Sequence, residues 1–104
     1  MADCEVLSIA PGQLKLVGSI TFETATDIEL QGRELLIKQV GSCTVDLAEL
    51  EDGGSAALSV LLSWMRQAHH LSISLSMINM PIDLYDLARV GGLDSVLPIQ
   101  IQAP

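Results

Sequence analysis

Aromatic side chains are almost missing from this sequence. One Trp, one Tyr and one Phe make up 3% of 104 residues, so the core has to be assembled from Leu, Ile, Val, Ala and Met. Such a core suits layers of helix and sheet rather than an aromatic-rich, disulfide-held miniature. Basic residues are scarce too: five Lys and Arg stand against 13 Asp and Glu, a formal net charge of −8. Nucleic-acid binding draws on counterion release at a basic patch. Lys15, Arg33, Lys38, Arg66 and Arg89 are too few and too scattered to make one. Cysteine is limited to Cys4 and Cys43, far apart and without a CxxC partner, which argues against a zinc site and a redox motif alike. Two free thiols in a reducing compartment are expected. No apolar run approaches the ~18 residues of a membrane span. Met1-Ala2-Asp3-Cys4-Glu5 carries acids where a secretory signal would carry bases, and the expected location is the cytosol.

What is abundant is aliphatic. With 49% hydrophobic and only 17% charged residues, the chain can offset the entropy of ordering itself, which excludes disorder. No repeat, linker or low-complexity tract interrupts it, so residues 1–104 are read as one small domain. Val6-Leu7-Ser8-Ile9 and Leu14-Lys15-Leu16-Val17, separated by Pro11-Gly12, predict a hairpin. From Thr24 the apolar period becomes helical through Ala25, Ile28, Leu35 and Leu36 to about Gln39, despite Gly32 inside it, and Val40-Gly41 closes that helix. Cys43 to Leu47 predicts a short strand and Ala48 to Gly54 an acidic loop. Ser55 is expected to cap the next helix, about Ala56 to His69, by accepting from a free backbone N–H. Leu71 to Met77 alternates apolar and polar residues, the clearest strand in the chain. Pro81 suits a first helical turn, and Ile82, Tyr85, Leu87 and Ala88 continue a short helix toward Gly91-Gly92. A turn from Leu93 to Leu97 and a β-prone run, Ile99-Gln100-Ile101, finish the order. Strands alternating with helices after an opening hairpin predict a mixed α/β sheet with helices packed against it.

Catalytic and ligand-binding signatures are weak. Gly53-Gly54-Ser55-Ala56-Ala57 between a strand and a helix resembles a nucleophile elbow, yet His69 and His70 lie about 21 Å along the same helix at 1.5 Å per residue. That is far beyond hydrogen-bond reach of Ser55. The two histidines are adjacent, cannot share one helical face and have no third ligand near them in sequence, so a solvated helix end is the better reading. Glu49, Glu51 and Asp52 lack the Asp-x-Asp-x-Asp-Gly ladder of a calcium loop. The glycine pairs lack the residues that make a phosphate or dinucleotide loop. No metal and no cofactor is expected.

The helix after Ser55 says more. Leu58, Leu61, Leu62 and Met65 recur at i, i+3, i+4, i+7, enough for one core-facing stripe. Ala57, Val60 and the only Trp of the chain, Trp64, form a second stripe beside it. Either this helix is buried more than halfway round, or the second stripe docks a partner, since Trp is enriched among interface anchors.

The run from Val45-Asp46-Leu47 through Ala48-Glu49-Leu50-Glu51-Asp52-Gly53-Gly54-Ser55 to Ala56-Ala57-Leu58 resembles the signature of STAS domains. In that family a strand ending in Asp-Leu-Ser leads through a short loop to Asp-Ser-Ser-Gly-Leu at a helix start. Gly54 stands where the family has Asp, and Ala56-Ala57 follow the serine, small residues as in the MlaB-like branch, which carries Asp-Thr-Gly-Gly-Leu. The resemblance implies a mixed, mainly parallel sheet of four to five strands with helices chiefly on one face. It also implies a non-enzymatic interaction protein that meets its partner at the helix start, so the expected partner-binding residues are Ser55, Ala56 and Ala57, with Val60 and Trp64 joining them if the second stripe docks. Two partners are implied. The first is the ATPase of an ABC transporter that moves phospholipids between bacterial membranes, as for MlaB-like subunits, with membrane association only through that complex. The alternative is an anti-sigma-factor kinase that phosphorylates Ser55, as for anti-sigma-factor antagonists.

Overall fold

A computed structural model describes residues 4–100 of the chain. The hairpin forms between β1 (Cys4–Ala10) and β2 (Gln13–Ser19), antiparallel, with Cys4 opposite Gly18 and Leu7 opposite Lys15. The register shifts between Ser8 and Ala10, a bulge that twists the strand end into the Pro11-Gly12 turn. After α1 (Ala25–Ile37) the chain enters β3 (Ser42–Asp46), which lies parallel to β2 with Leu14 beside Val45. β5 (Ser74–Ile78) lies parallel to β3 in turn. The strand order is β1-β2-β3-β5, each parallel neighbour joined by a helical crossover, α1 and then α2 (Gly54–His70). A last helix, α3 (Ile82–Val90), follows β5.

Period-two alternation decides which face of the sheet is covered. Leu14, Leu16, Cys43, Val45, Leu75 and Met77 point to the helix side and are buried, together with Ile28, Leu36, Leu61, Trp64 and Ala88 from the helices. On the opposite face the row Leu7, Lys15, Asp46, Ile78 runs across four strands, and Ile9 is 56% exposed. The mixed, mostly parallel sheet with helices chiefly on one face is therefore as the resemblance implied.

Four boundaries differ from the sequence reading. A further strand, β4 (Leu50–Asp52), forms inside the stretch expected to be an acidic loop and pairs parallel to β2 at Gly18 and Ser19. It takes up the edge of β2 beyond Lys15, where β3 stops. The strand expected from Leu71 begins at Ser74, because Leu71 N donates to Gln67 O and Ile73 N to Ala68 O with Ser72 at φ 58. These residues end α2 while keeping the alternation that buries Ile73. α1 stops at Ile37, two residues short of Gln39, and Gly41, at φ 80, sits at the entry to β3 rather than at the helix end. Finally, the terminal run contributes a single parallel bridge from Ile99 to Met77; Ile101 lies outside the described residues.

Both thiols are free and buried. Burial pushes Cys4 up to about 11 and moves Cys43 in the same direction. Only thiolate is nucleophilic, so neither cysteine is expected to react with iodoacetamide near neutral pH until the domain is unfolded in denaturant, when both should label. Mass spectrometry of the native and denatured protein checks this; labelling of either thiol in the native state would contradict it.

Candidate functional site

α2 begins at a glycine pair, and both glycines are required by geometry. A Cβ on Gly53 would lie 2.5 Å from the Cβ of Ala57, and Gly54 has φ 49, in the left-handed region. Gly53 occupies the cap position and its carbonyl accepts from Ala57 N at 3.0 Å. Ser55 is thus two residues past the cap that the sequence suggested it to be: it stands in the first helical turn, exposed, and its hydroxyl has no hydrogen-bond partner among the described residues. Upstream, Asp46 Oδ1 accepts from Ala48 N at 2.9 Å and from Asn79 Nδ2 at 3.1 Å. This ties the start of the connection between β3 and α2 to the end of β5. Beside Asp46, Lys15 pairs with Glu49, which fixes a second point of the same connection to β2.

The second apolar stripe of α2 faces inward. Ala56, Ala57, Val60 and Trp64 are 3%, 0%, 2% and 0% exposed, so in the free domain they are interior residues and not an open docking face. The reason is α1. Trp64 lies against Gly32, so close that a Cβ there would sit 2.2 Å from indole carbons, and its Nε1 donates to Glu29 O at 3.0 Å. A glycine inside a helix costs about 1 kcal/mol relative to alanine; here it makes room for the indole. That mid-helix glycine was the available signal that the stripe packs on another helix.

What α2 shows to solvent is Ser55 together with Ser59 and Ser63, two residues that the sequence does not single out. Ser55 and Ser59 are exposed and Ser63 is half-buried, spaced i, i+4, i+8 along one face. Between this line and α1 runs a shallow groove of about 200 Å³, lined by Ala25, Thr26 and Glu29 on one side and Ser59, Val60 and Ser63 on the other. Of the expected partner-binding residues, Ser55 is at the surface and Val60 touches the groove; Ala56, Ala57 and Trp64 support it from within.

Glu29 is the charged member of the groove, its side chain only 15% exposed. Oε1 accepts from Ser63 Oγ at 2.5 Å and from Arg33 Nε at 3.0 Å, and pairs with the same guanidinium through Nη2. Burial pushes this carboxyl up, but the bonds from Ser63 and Arg33 and the Arg33 charge outweigh it and hold the group below its ordinary value. A carboxyl depressed in the folded state adds stability above its unfolded pKa, about 4.3, and that stability is lost as pH falls through the folded value. Glu29→Gln is therefore expected to lower stability near pH 7 by about 1 kcal/mol, as for one partly solvated charge-assisted bond. The deficit should shrink at about pH 3. Urea unfolding of both proteins at the two pH values checks this, and a deficit independent of pH would contradict it.

No imidazole approaches Ser55: His69 and His70 are exposed at the far end of α2. The surface at the start of α2 offers hydroxyls, one engaged carboxylate and a shallow groove. No helix among the described residues is long and apolar enough to cross a membrane.

Comparison with known proteins agrees with this geometry. The solved structure of the anti-sigma factor antagonist SpoIIAA in its unphosphorylated form matches with a TM-score of 0.72 at 11% identity, over 96% of this chain and 88% of that one. An anti-sigma factor antagonist from Mycobacterium paratuberculosis matches with a TM-score of 0.71 at 17% identity, over 95% and 85%. At such identities the likeness is one of fold. No curated protein matches the sequence. The family model described as "Mlab, STAS domain" matches residues 6–99, from the second half of β1 to the bridge at Ile99, and the chain therefore belongs to the MlaB-type STAS domain family.

Proposed function

We infer that this chain is a non-catalytic, cytosolic interaction subunit that binds the ATPase of an ABC transporter moving phospholipids between bacterial membranes, and supports or regulates it. The observation that carries this reading is the match of an MlaB-type family model to almost the whole chain, together with the exposed position of Ser55 at the start of α2. The small residues that follow, Ala56 and Ala57, pack inward, so a partner surface can approach the helix start closely. In this reading Ser55 and the serine line on α2 meet the ATPase, Val60 sits beneath that contact, and Ala56, Ala57 and Trp64 hold the helix in place. Membrane association is indirect, through the transporter.

A second reading has its own support. Both structural neighbours named above are anti-sigma factor antagonists, one of them described in its unphosphorylated form, and Ser55 is exposed at a helix start, where a phosphate is favoured by the helix dipole. On this reading a partner kinase phosphorylates Ser55 and so releases the domain. The two separate by affinity purification of the tagged chain from its native host. Stoichiometric recovery of an ABC ATPase with its permease is the expected result; recovery of a serine kinase with anti-sigma activity, and no ATPase, would replace the first reading with the second.

A further inference from the structure

The end of the sheet away from Ser55 holds a concavity of about 700 Å³ between the β1–β2 turn and the link from α1 to β3. Its shape is set by backbone and amide bonds. Gly12 N donates to Gln39 Oε1 at 2.8 Å, Gln39 Nε2 donates to Leu35 O at 3.0 Å, and Thr44 N donates to Gly12 O at 2.8 Å. The glutamine side chain thus clamps the hairpin turn to the end of α1 and forms one wall of the concavity. The volume lies within the range of small-molecule sites.

The chemistry of the lining differs from that of the rest of the surface. Ser8, Gln13, Lys38, Ser42 and Thr44 all border the concavity. Among the described residues none of these five side chains makes a hydrogen bond or ion pair to another group. Their donors and acceptors are open to a ligand. Lys38 is the only charged residue of the lining: in a chain with 13 acidic side chains, no carboxylate borders this surface. A bound cation would find nothing to neutralise it here, whereas an oxyanion would meet one ammonium and several hydroxyl and amide donors.

We propose that this concavity is a binding site for a small polar molecule bearing one oxyanion, carboxylate or phosphate, seated on Lys38 at the end of α1 and bordered by Ser8, Gln13, Ser42 and Thr44. It stands at the amino-terminal end of β3, while Ser55 follows the carboxyl-terminal end, so ligand and partner would occupy opposite ends of the domain. Titration of the ¹⁵N-labelled chain with inorganic phosphate, and separately with acetate, at constant ionic strength tests it by NMR. Saturable shifts at the amides of Gly12, Gln39, Ser42 and Thr44 are expected with at least one probe, and the probe that saturates identifies the anion class. Lys38→Gln, a change at an exposed position, should weaken that binding at least about fivefold, whereas Arg66→Gln at the end of α2 should leave it unchanged. Shifts that never saturate, that spread over all five basic residues alike, or that survive Lys38→Gln would overturn the proposal.

Discussion

Trp64→Ala is expected to destabilise the isolated domain by about 3 to 5 kcal/mol, the range for removing a large buried aromatic. The indole is fully buried, packed against α1 at Gly32 and bonded through Nε1 to Glu29 O. Its removal leaves a cavity between two helices and one carbonyl short of a partner. A domain of this size has roughly 5 to 15 kcal/mol in hand, so the variant should lie near the edge of folding and unfold at much lower urea. Had Trp64 faced water to await a partner, the loss would be small and confined to complex formation. Equilibrium urea unfolding of the lone domain distinguishes the two: a change below about 1 kcal/mol would contradict the packing described here.

Gly32→Ala should be nearly as damaging, although alanine is the better helix former by about 1 kcal/mol. The added methyl would stand 2.2 Å from Trp64 Cε2 and Cζ2 and 2.5 Å from its Nε1. Neither side can give cheaply: the glycine belongs to a helix and the ring is enclosed on every side. Forced overpacking of this kind costs about 1 to 3 kcal/mol or more, and here the indole Nε1 bond to Glu29 O goes with it. The cost depends on the indole, so it should fall sharply when Trp64 is shortened. In a double-mutant cycle with Trp64→Leu, the coupling is expected to be at least about 1 kcal/mol in the compensating direction. Additive losses would show that the two residues do not meet.

These two residues also mark where sequence reasoning stops. The helical period of α2 revealed two apolar stripes, but period alone reports a stripe and not what it faces. The answer lay 32 positions upstream, in a glycine that looked only like a tolerated defect of α1. The Glu29–Ser63 bond spans 34 residues, and nothing local in either helix announces it. β4 was hidden for a related reason: Glu51 and Asp52 are poor strand formers, and the strand exists because Gly18 and Ser19 of β2 have a free edge there. The cap falls two positions before Ser55 because Gly-Gly-Ser offers more than one cap, and only the approach of Ala57 to Gly53 decides between them. By contrast, the hairpin, the crossover helices and the parallel core strands were legible, since each carries its own turn chemistry or period.

The start of α2 as the partner surface is tested most directly by the affinity of the purified chain, with Ser55 altered, for the transporter ATPase proposed as its partner. An added carboxylate gains about 0.3 to 1 kcal/mol from the helix N-terminus in the free domain, so Ser55→Asp should fold as well as the parent. Against a docked partner it adds negative charge to a surface that already belongs to a chain of net charge −8 and fills space that Ser55 leaves open. Measured by calorimetry, with unfolding curves confirming equal stability, Ser55→Asp is expected to weaken binding at least about tenfold, or 1.4 kcal/mol, and Ser55→Ala by less than about threefold. Equal affinity of the parent and the Asp variant would place the partner elsewhere on the domain.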